Sequence, residues 1–231
     1  VGLLGTFLIN LFYVLTAVAN YNQFLASTAV TYGWIVIRDF VNMFFVLVLI
    51  VIAIGTILQQ QQYHYSQTLP KFLVAAILVN FSKTICGILI DASQVVMMTF
   101  VGAISGALGG NMAALLGIPM LLKQVAPWRG SETADIEVIA FAGFFLALMF
   151  IAISLIVVGI MVVMLVIRIV ALWFLIILSP IAFFLMALPN DRGYASKWWD
   201  QFINNLLVGP VMMFFLWLSL TVVSVQQGVG V

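Results

Sequence analysis

The chain has 231 residues, 65% of them hydrophobic and only 6% charged, with a formal net charge of +1. Soluble domains carry about 25% charged residues, so a mean hydropathy of +1.28 excludes a water-soluble fold and makes lipid the solvent for this chain. The small charge argues against electrostatic binding of nucleic acid along the surface, and the single cysteine, Cys86, excludes an intrachain disulfide.

Residue 1 is valine, as in a fragment or a processed chain, and Ala17-Val18-Ala19 fits a small-x-small cleavage site. No basic region precedes that apolar run, so Gly2–Ala19 is read as a retained first span. Segment 20–33 is polar and aromatic, as expected of a connection at the membrane interface. A second span follows from Trp34 to Leu58, long enough at about 37 Å to cross with tilt. Arg38 and Asp39 sit one turn inside its start. As sequence neighbours they are expected to point apart and not to pair. Arg38 shares a face with Asn42. It either snorkels to the headgroups or belongs to a polar face turned to a helix or a wet cavity.

Residues 59–65 are polar and carry the only histidine, His64, which has no cysteine or carboxylate neighbours and is not expected to hold a metal. Thr68 is placed to N-cap the next helix, with Pro70 near its first turn. Within 70–104, Asn80, Lys83, Thr84, Gly87, Asp91 and Gln94 recur at three- and four-residue steps. On a helix they fall within an arc of roughly 100°. Ile77, Ile85, Ile88 and Val95 take the opposite, lipid-compatible side. Lys83 and Asp91 are two turns apart, about 12 Å along the axis, too far to pair directly. The stripe Asn80, Lys83, Thr84, Asp91 and Gln94 is therefore the candidate pore-lining or inter-helix surface. Cys86, in an apolar run, is read as a packing residue.

Gly102, Gly106 and Gly110 follow at four-residue spacing, which either lets helices approach closely or marks a flexible linker. Residues 105–137 read as a connecting region, Gly-rich and then charged, within one transmembrane domain spanning 1–231. Its charged part holds Lys123, Arg129, Glu132, Asp135 and Glu137, the last three suited to a helix start.

From Val138 to Leu188 the chain is apolar, with Arg168 its only charge. Hydrocarbon cores are about 30 Å thick and need roughly 20 residues per span. The stretch therefore holds two spans, or one long helix and a broken half-span. Arg168 is expected where the chain meets an interface, and Ser179-Pro180 is expected to kink or break the helix. Residues 194–206 form an amphipathic pattern with Trp198, Trp199, Phe202, Ile203 and Leu206 on one face. They predict a helix lying in the headgroup region, anchored by Trp198 and Trp199. Gly209-Pro210 is expected to turn the chain into a last span ending near Val225.

The sequence thus predicts an all-α, polytopic membrane protein of about six hydrophobic segments: 2–19, 34–58, 70–104, 138–167, 169–188 and 208–225. Arg38, Asp39 and Arg168 are its intramembrane charges. On alternating spans the positive-inside rule puts both termini outside, and counting 138–188 once moves the C-terminus to the cytoplasm. No phosphate loop, Cys/His metal spacing or nucleophile elbow is present, so no enzyme, cofactor or metal is expected.

Four stretches carry a family likeness: WIVIRDFVNMFFVLVLIVIAIGTIL, LPKFLVAAILVNFSKTICGILID, RIVALWFLIILSPIAFFLMALPN and WWDQFINNLLVGPVMMFFLWLSL. Together they resemble the TrbL-like polytopic inner-membrane subunit of bacterial type IV secretion and conjugal-transfer machines. The resemblance covers most of 34–220. It implies a homo-oligomeric platform in the bacterial inner membrane, among other secretion-machine subunits and membrane lipid, helping DNA or protein substrates across. The alternative is a secondary transporter or small-solute channel. It would use Lys83 and Asp91 as intramembrane ionisable groups and Ser179-Pro180 as a helix discontinuity.

Overall fold

The computed structural model describes residues 2–58, 65–108, 133–186, 188 and 193–226. They form five helices: α1 (Gly2–Ala19), α2 (Thr28–Ile57), α3 (Tyr65–Leu108), α4 (Thr133–Leu185) and α5 (Tyr194–Gln226). Helices are the economical answer in lipid, because each backbone N–H and C=O finds its partner within its own segment. Four are long and apolar enough to cross a membrane, through Thr28–Ile57, Pro70–Ile104, Phe141–Leu185 and Tyr194–Val222. α1 is apolar but shorter, at Leu3–Ala19. The described residues are therefore all-helical, and the protein is multi-pass by their length and composition.

Six expected segments become five described helices because the interruption expected at Arg168 does not occur. Segments 138–167 and 169–188 are one helix, α4, which runs through Arg168 and Pro180. Arginine is a good helix former, and a proline removes one helical hydrogen bond without ending a helix whose freed carbonyl finds another donor. By the same logic 194–206 is no separate surface helix. It is the start of α5, which continues through Gly209 and Pro210. Three starts also move. α2 begins at Thr28, six residues before Trp34, and α3 begins at Tyr65, so Thr68 lies inside the helix and does not cap it. α4 begins at Thr133, five residues before the expected Val138. His64, Gly110, Lys123, Arg129 and Glu132 lie outside the described residues.

Buried positions along the helices follow three- and four-residue steps. In α1 they are Leu8, Phe12, Leu15 and Ala19; in α4, Ile151, Val158, Leu165 and Leu172 repeat every seven residues. That spacing keeps one seam of a helix facing its neighbours. Outside the seam the exposed side chains are bulky and apolar, for example Ile77, Ile88, Val95, Ile156 and Ile160. The buried set, by contrast, includes Ser82, Ser93, Gln94, Arg168 and Ser179. Apolar outside with polar groups held inside is the distribution expected when acyl chains are the solvent.

The described helices sort into two compact units, Val1–Tyr21 with Gln94–Ile167 and Gly209–Val231, and Asn22–Ser93 with Arg168–Val208. In the first unit, Leu8, Phe12 and Leu15 pack with Met97, Val101, Ile104, Ile151, Val158, Leu165 and Met213. Phe100 sets its ring edge-on to Phe214 at 5.4 Å. The second unit centres on Val41, Phe45, Phe72, Val79, Phe183 and Phe184. There Phe45 meets Phe72 and Phe184 edge-to-face at 4.8 and 5.1 Å.

Candidate functional site

The polar stripe on α3 divides by role. Gln94 is only 3% exposed, and its Nε2 donates to the Ala19 carbonyl at 2.6 Å and to the Tyr21 carbonyl at 3.3 Å. The last carbonyls of a helix have no partner in their own segment, so Gln94 acts as a C-cap for α1. Lys83 is half-buried, and its Nζ donates to the Thr31 hydroxyl at 2.8 Å. Thr31 passes the polarity on, donating to the carbonyls of Ser27 and Leu25. Gly87 is buried beneath Leu25; a Cβ there would fall 2.3 Å from the Leu25 Cδ1, so glycine seats the α1–α2 connection.

Asn80, Thr84 and Asp91 remain exposed. They lie within about 40° of one another around α3. Asn80 donates to the Ala76 carbonyl one turn back at 2.8 Å. Asp91 has no ion pair or hydrogen bond within the described residues, and it sits well inside the apolar span Pro70–Ile104. A charge at such depth costs roughly 2.5–3.5 kcal/mol on insertion scales. Lys83 and Asp91 do not come together, as their axial spacing predicts.

A second polar cluster was not legible as such in the sequence. Arg168 is 2% exposed and sits among packed helices. Its Nε donates to the Asn205 carbonyl at 3.0 Å, and its Nη2 to the Ser93 hydroxyl at 3.1 Å and the Leu206 carbonyl at 3.3 Å. Ser93 in turn donates to the same Leu206 carbonyl at 2.7 Å. The cause lies four residues on. Leu206 would ordinarily receive the N–H of residue 210, and residue 210 is proline, which has none. Arg168 and Ser93 supply the missing donors. Pro180 poses the same problem for Ile176, and the Ser179 hydroxyl answers it at 2.7 Å. These repairs explain why neither proline ends its helix.

Other sequence expectations resolve individually. Arg38 and Asp39 do pair, with Nη2 to Oδ1 at 2.7 Å and Nε to Oδ1 at 3.0 Å. An arginine stem is long enough to fold back on its neighbour, which a rule about helix faces ignores. Arg38 also lies over the Trp34 ring, 4.8 Å from its centroid, while the Trp34 indole N–H donates to Ser82 at 2.9 Å. Trp198 stacks on Phe202 at 5.2 Å and Trp199 meets Phe183 edge-on at 5.7 Å. The aromatic face of 194–206 is thus packed on protein, with Phe202 fully buried. Cys86 is buried and free, as a packing residue would be. Gly102 is exposed, with nothing within 4 Å of where its Cβ would stand. Gly106 lies in α3, its surroundings outside the described residues.

Among the described residues, no three His, Cys, Asp or Glu side chains gather as metal ligands. What the arrangement offers chemically is one unpartnered carboxylate with two neutral polar neighbours on an otherwise apolar wall. Searches against protein-family models, curated proteins and solved structures find no match to the chain.

Proposed function

We propose that this protein is a channel or platform subunit of a type IV secretion or conjugation machine of the TrbL-like kind. It works as a homo-oligomer in the bacterial inner membrane and helps DNA or protein substrates cross. The observation that carries the reading is the exposed strip Asn80, Thr84 and Asp91 on a membrane-spanning helix. One chain has too few such groups to line a wide aqueous path. Several copies, each contributing one strip, would make a ring polar within and apolar without. α4 adds support: only 17% of its most apolar window is buried within the chain. Its apolar run of 45 residues rises about 68 Å as a helix, more than twice a hydrocarbon core, leaving surface for other subunits to cover.

The transporter alternative fits less well. It calls for a discontinuous helix at Ser179-Pro180, and α4 is continuous there. It also calls on Lys83, whose ammonium is engaged by Thr31.

Two measurements test the proposal. In nanodiscs, Asp91→Cys should react with a membrane-impermeant thiol reagent, and native mass spectrometry should show a closed oligomer. A strictly monomeric protein in which the introduced thiol resists the reagent would reject the channel. Purification from native membranes should also recover a secretion ATPase or coupling protein. An oligomer recovered without either would leave a channel and reject the secretion assignment.

A further inference from the structure

The second unit carries a groove of about 350 Å³ where α3 begins its span and α4 ends its own. Val74, Ala75, Leu78, Phe183 and Met186 line it, and all are apolar. Ala75 and Phe183 are each 4% exposed and form its floor, while Val74 and Met186 are open to the surroundings. Pro70 and Lys71 complete the lining. Pro70 opens one apolar span and Leu185 closes the other, and the groove lies where these two ends meet. Lys71 is exposed there and has no hydrogen-bond or ion-pair partner among the described residues. Close to the same ends, α5 starts with Tyr194, Lys197, Trp198 and Trp199, residue types that favour the headgroup level.

We propose that this groove is a binding site for one anionic glycerophospholipid, its phosphate on the Lys71 ammonium and one acyl chain along Val74, Leu78, Phe183 and Met186. An apolar slot alone would take any acyl chain. The unpartnered ammonium beside it selects the headgroup, since a basic residue beside an apolar cleft at the membrane surface is the arrangement that holds acidic lipids. The occupant is a lipid and not a peptide, because beyond the single Lys71 ammonium the lining is apolar and offers nothing to pair with a run of peptide N–H and C=O groups.

Native mass spectrometry of the full chain, released from nanodiscs of equal dioleoyl phosphatidylglycerol and dioleoyl phosphatidylcholine, tests this. Wild type should retain one phosphatidylglycerol over phosphatidylcholine by about fivefold, the worth of one lysine near a charged surface. Lys71→Gln, at an exposed position, should bring that ratio to about one while phosphatidylcholine retention stays as it was. Val74→Trp, also at an exposed position, should obstruct the slot and lower retention of both lipids. Wild type without headgroup preference overturns the site. So does a preference that survives Lys71→Gln, or retention indifferent to Val74→Trp.

Discussion

The two units of this protein solve the same problem by different means. The first is held by shape. Its core of Leu8, Phe12, Leu15, Met97, Val101, Ile151, Val158 and Leu165 is apolar throughout, and Gln94 is the one buried polar side chain described there. The second places Ser82, Ser93, Arg168 and Ser179 among its buried residues and uses them as hydrogen-bond donors. In water both would lean on the hydrophobic effect. In lipid that drive between helices is absent, and packing and interhelical hydrogen bonds remain. The first unit therefore depends on close fit, and the second also on supplying carbonyls that Pro180 and Pro210 leave without donors.

The largest expected effect tests the second unit's dependence on Arg168. Arg168→Lys keeps a buried charge but loses the planar fork that reaches Asn205, Leu206 and Ser93 together. It should destabilise by about 3 kcal/mol, as broken buried charge networks do. Arg168→Leu removes the charge as well as the donors, so it should cost less, about 1–2 kcal/mol. Adding Pro210→Ala restores an N–H to the Leu206 carbonyl and should recover about 1 kcal/mol in the Leu background. Unfolding in mixed micelles measures all three. A lysine variant more stable than the leucine variant would mean that Arg168 is held for its charge and not for its donors.

In the first unit the corresponding probe is Leu15→Ala, at a fully buried position. A soluble core would lose about 2–5 kcal/mol. Here the transfer part is small, because acyl chains solvate leucine as well as protein does, and the cavity part remains. About 2 kcal/mol is the expected loss, read in the same micelles. Ser179→Ala should follow at about 1 kcal/mol, since it leaves the Ile176 carbonyl without its donor in a buried place. If Leu15→Ala were the milder of the two, hydrogen bonding would outrank packing even here.

The contrast also explains what could be read from the residues alone. The helical class was legible, since composition forces it. The exposed face of α3 was legible only in part: Ile77, Ile88 and Val95 stand clear of the packed core, but so do Asn80, Thr84 and Asp91 of the stripe, and Ile85 packs against the second unit's core. Element ends were misread wherever a residue type was treated as a stop. Pro180, Pro210 and Arg168 each suggested an interruption, but arginine leaves the helical ladder intact, and at the prolines what decides is whether the freed carbonyl finds another donor. Ser93 is 113 residues from the Leu206 carbonyl it serves, and no spacing rule reaches that far. Hydropathy failed for a second reason: when both faces of α4 are apolar, the buried one is invisible to it. The seven-residue recurrence of Ile151, Val158, Leu165 and Leu172 marks the seam, and Arg168 lies three residues past Leu165 on that seam. A proline inside an apolar run is better read as a pointer to an orphaned carbonyl four residues earlier. Applied to Pro210, that reading leads directly to Leu206.

The smallest expected change in the fold is at Gly102, and it separates the chain's own stability from its assembly. Among the described residues nothing stands within 4 Å of a Cβ at this position, so Gly102→Leu meets no wall there. Replacing glycine in a helix interior gains up to about 1 kcal/mol of propensity. Unfolding should therefore show stability unchanged or slightly raised, unlike every substitution in either core. Assembly should respond in the opposite sense. If copies approach along the face of α3 that carries Gly102, a leucine holds them apart and removes van der Waals contact, the main attraction left in lipid. Native mass spectrometry of the variant in mild detergent should show a smaller oligomeric fraction beside an intact monomer fold. A variant that assembles as fully as wild type would move the subunit contact off this face. The long and sparsely covered α4 would then be the surface to probe, with substitutions at exposed Ile156 and Ile160.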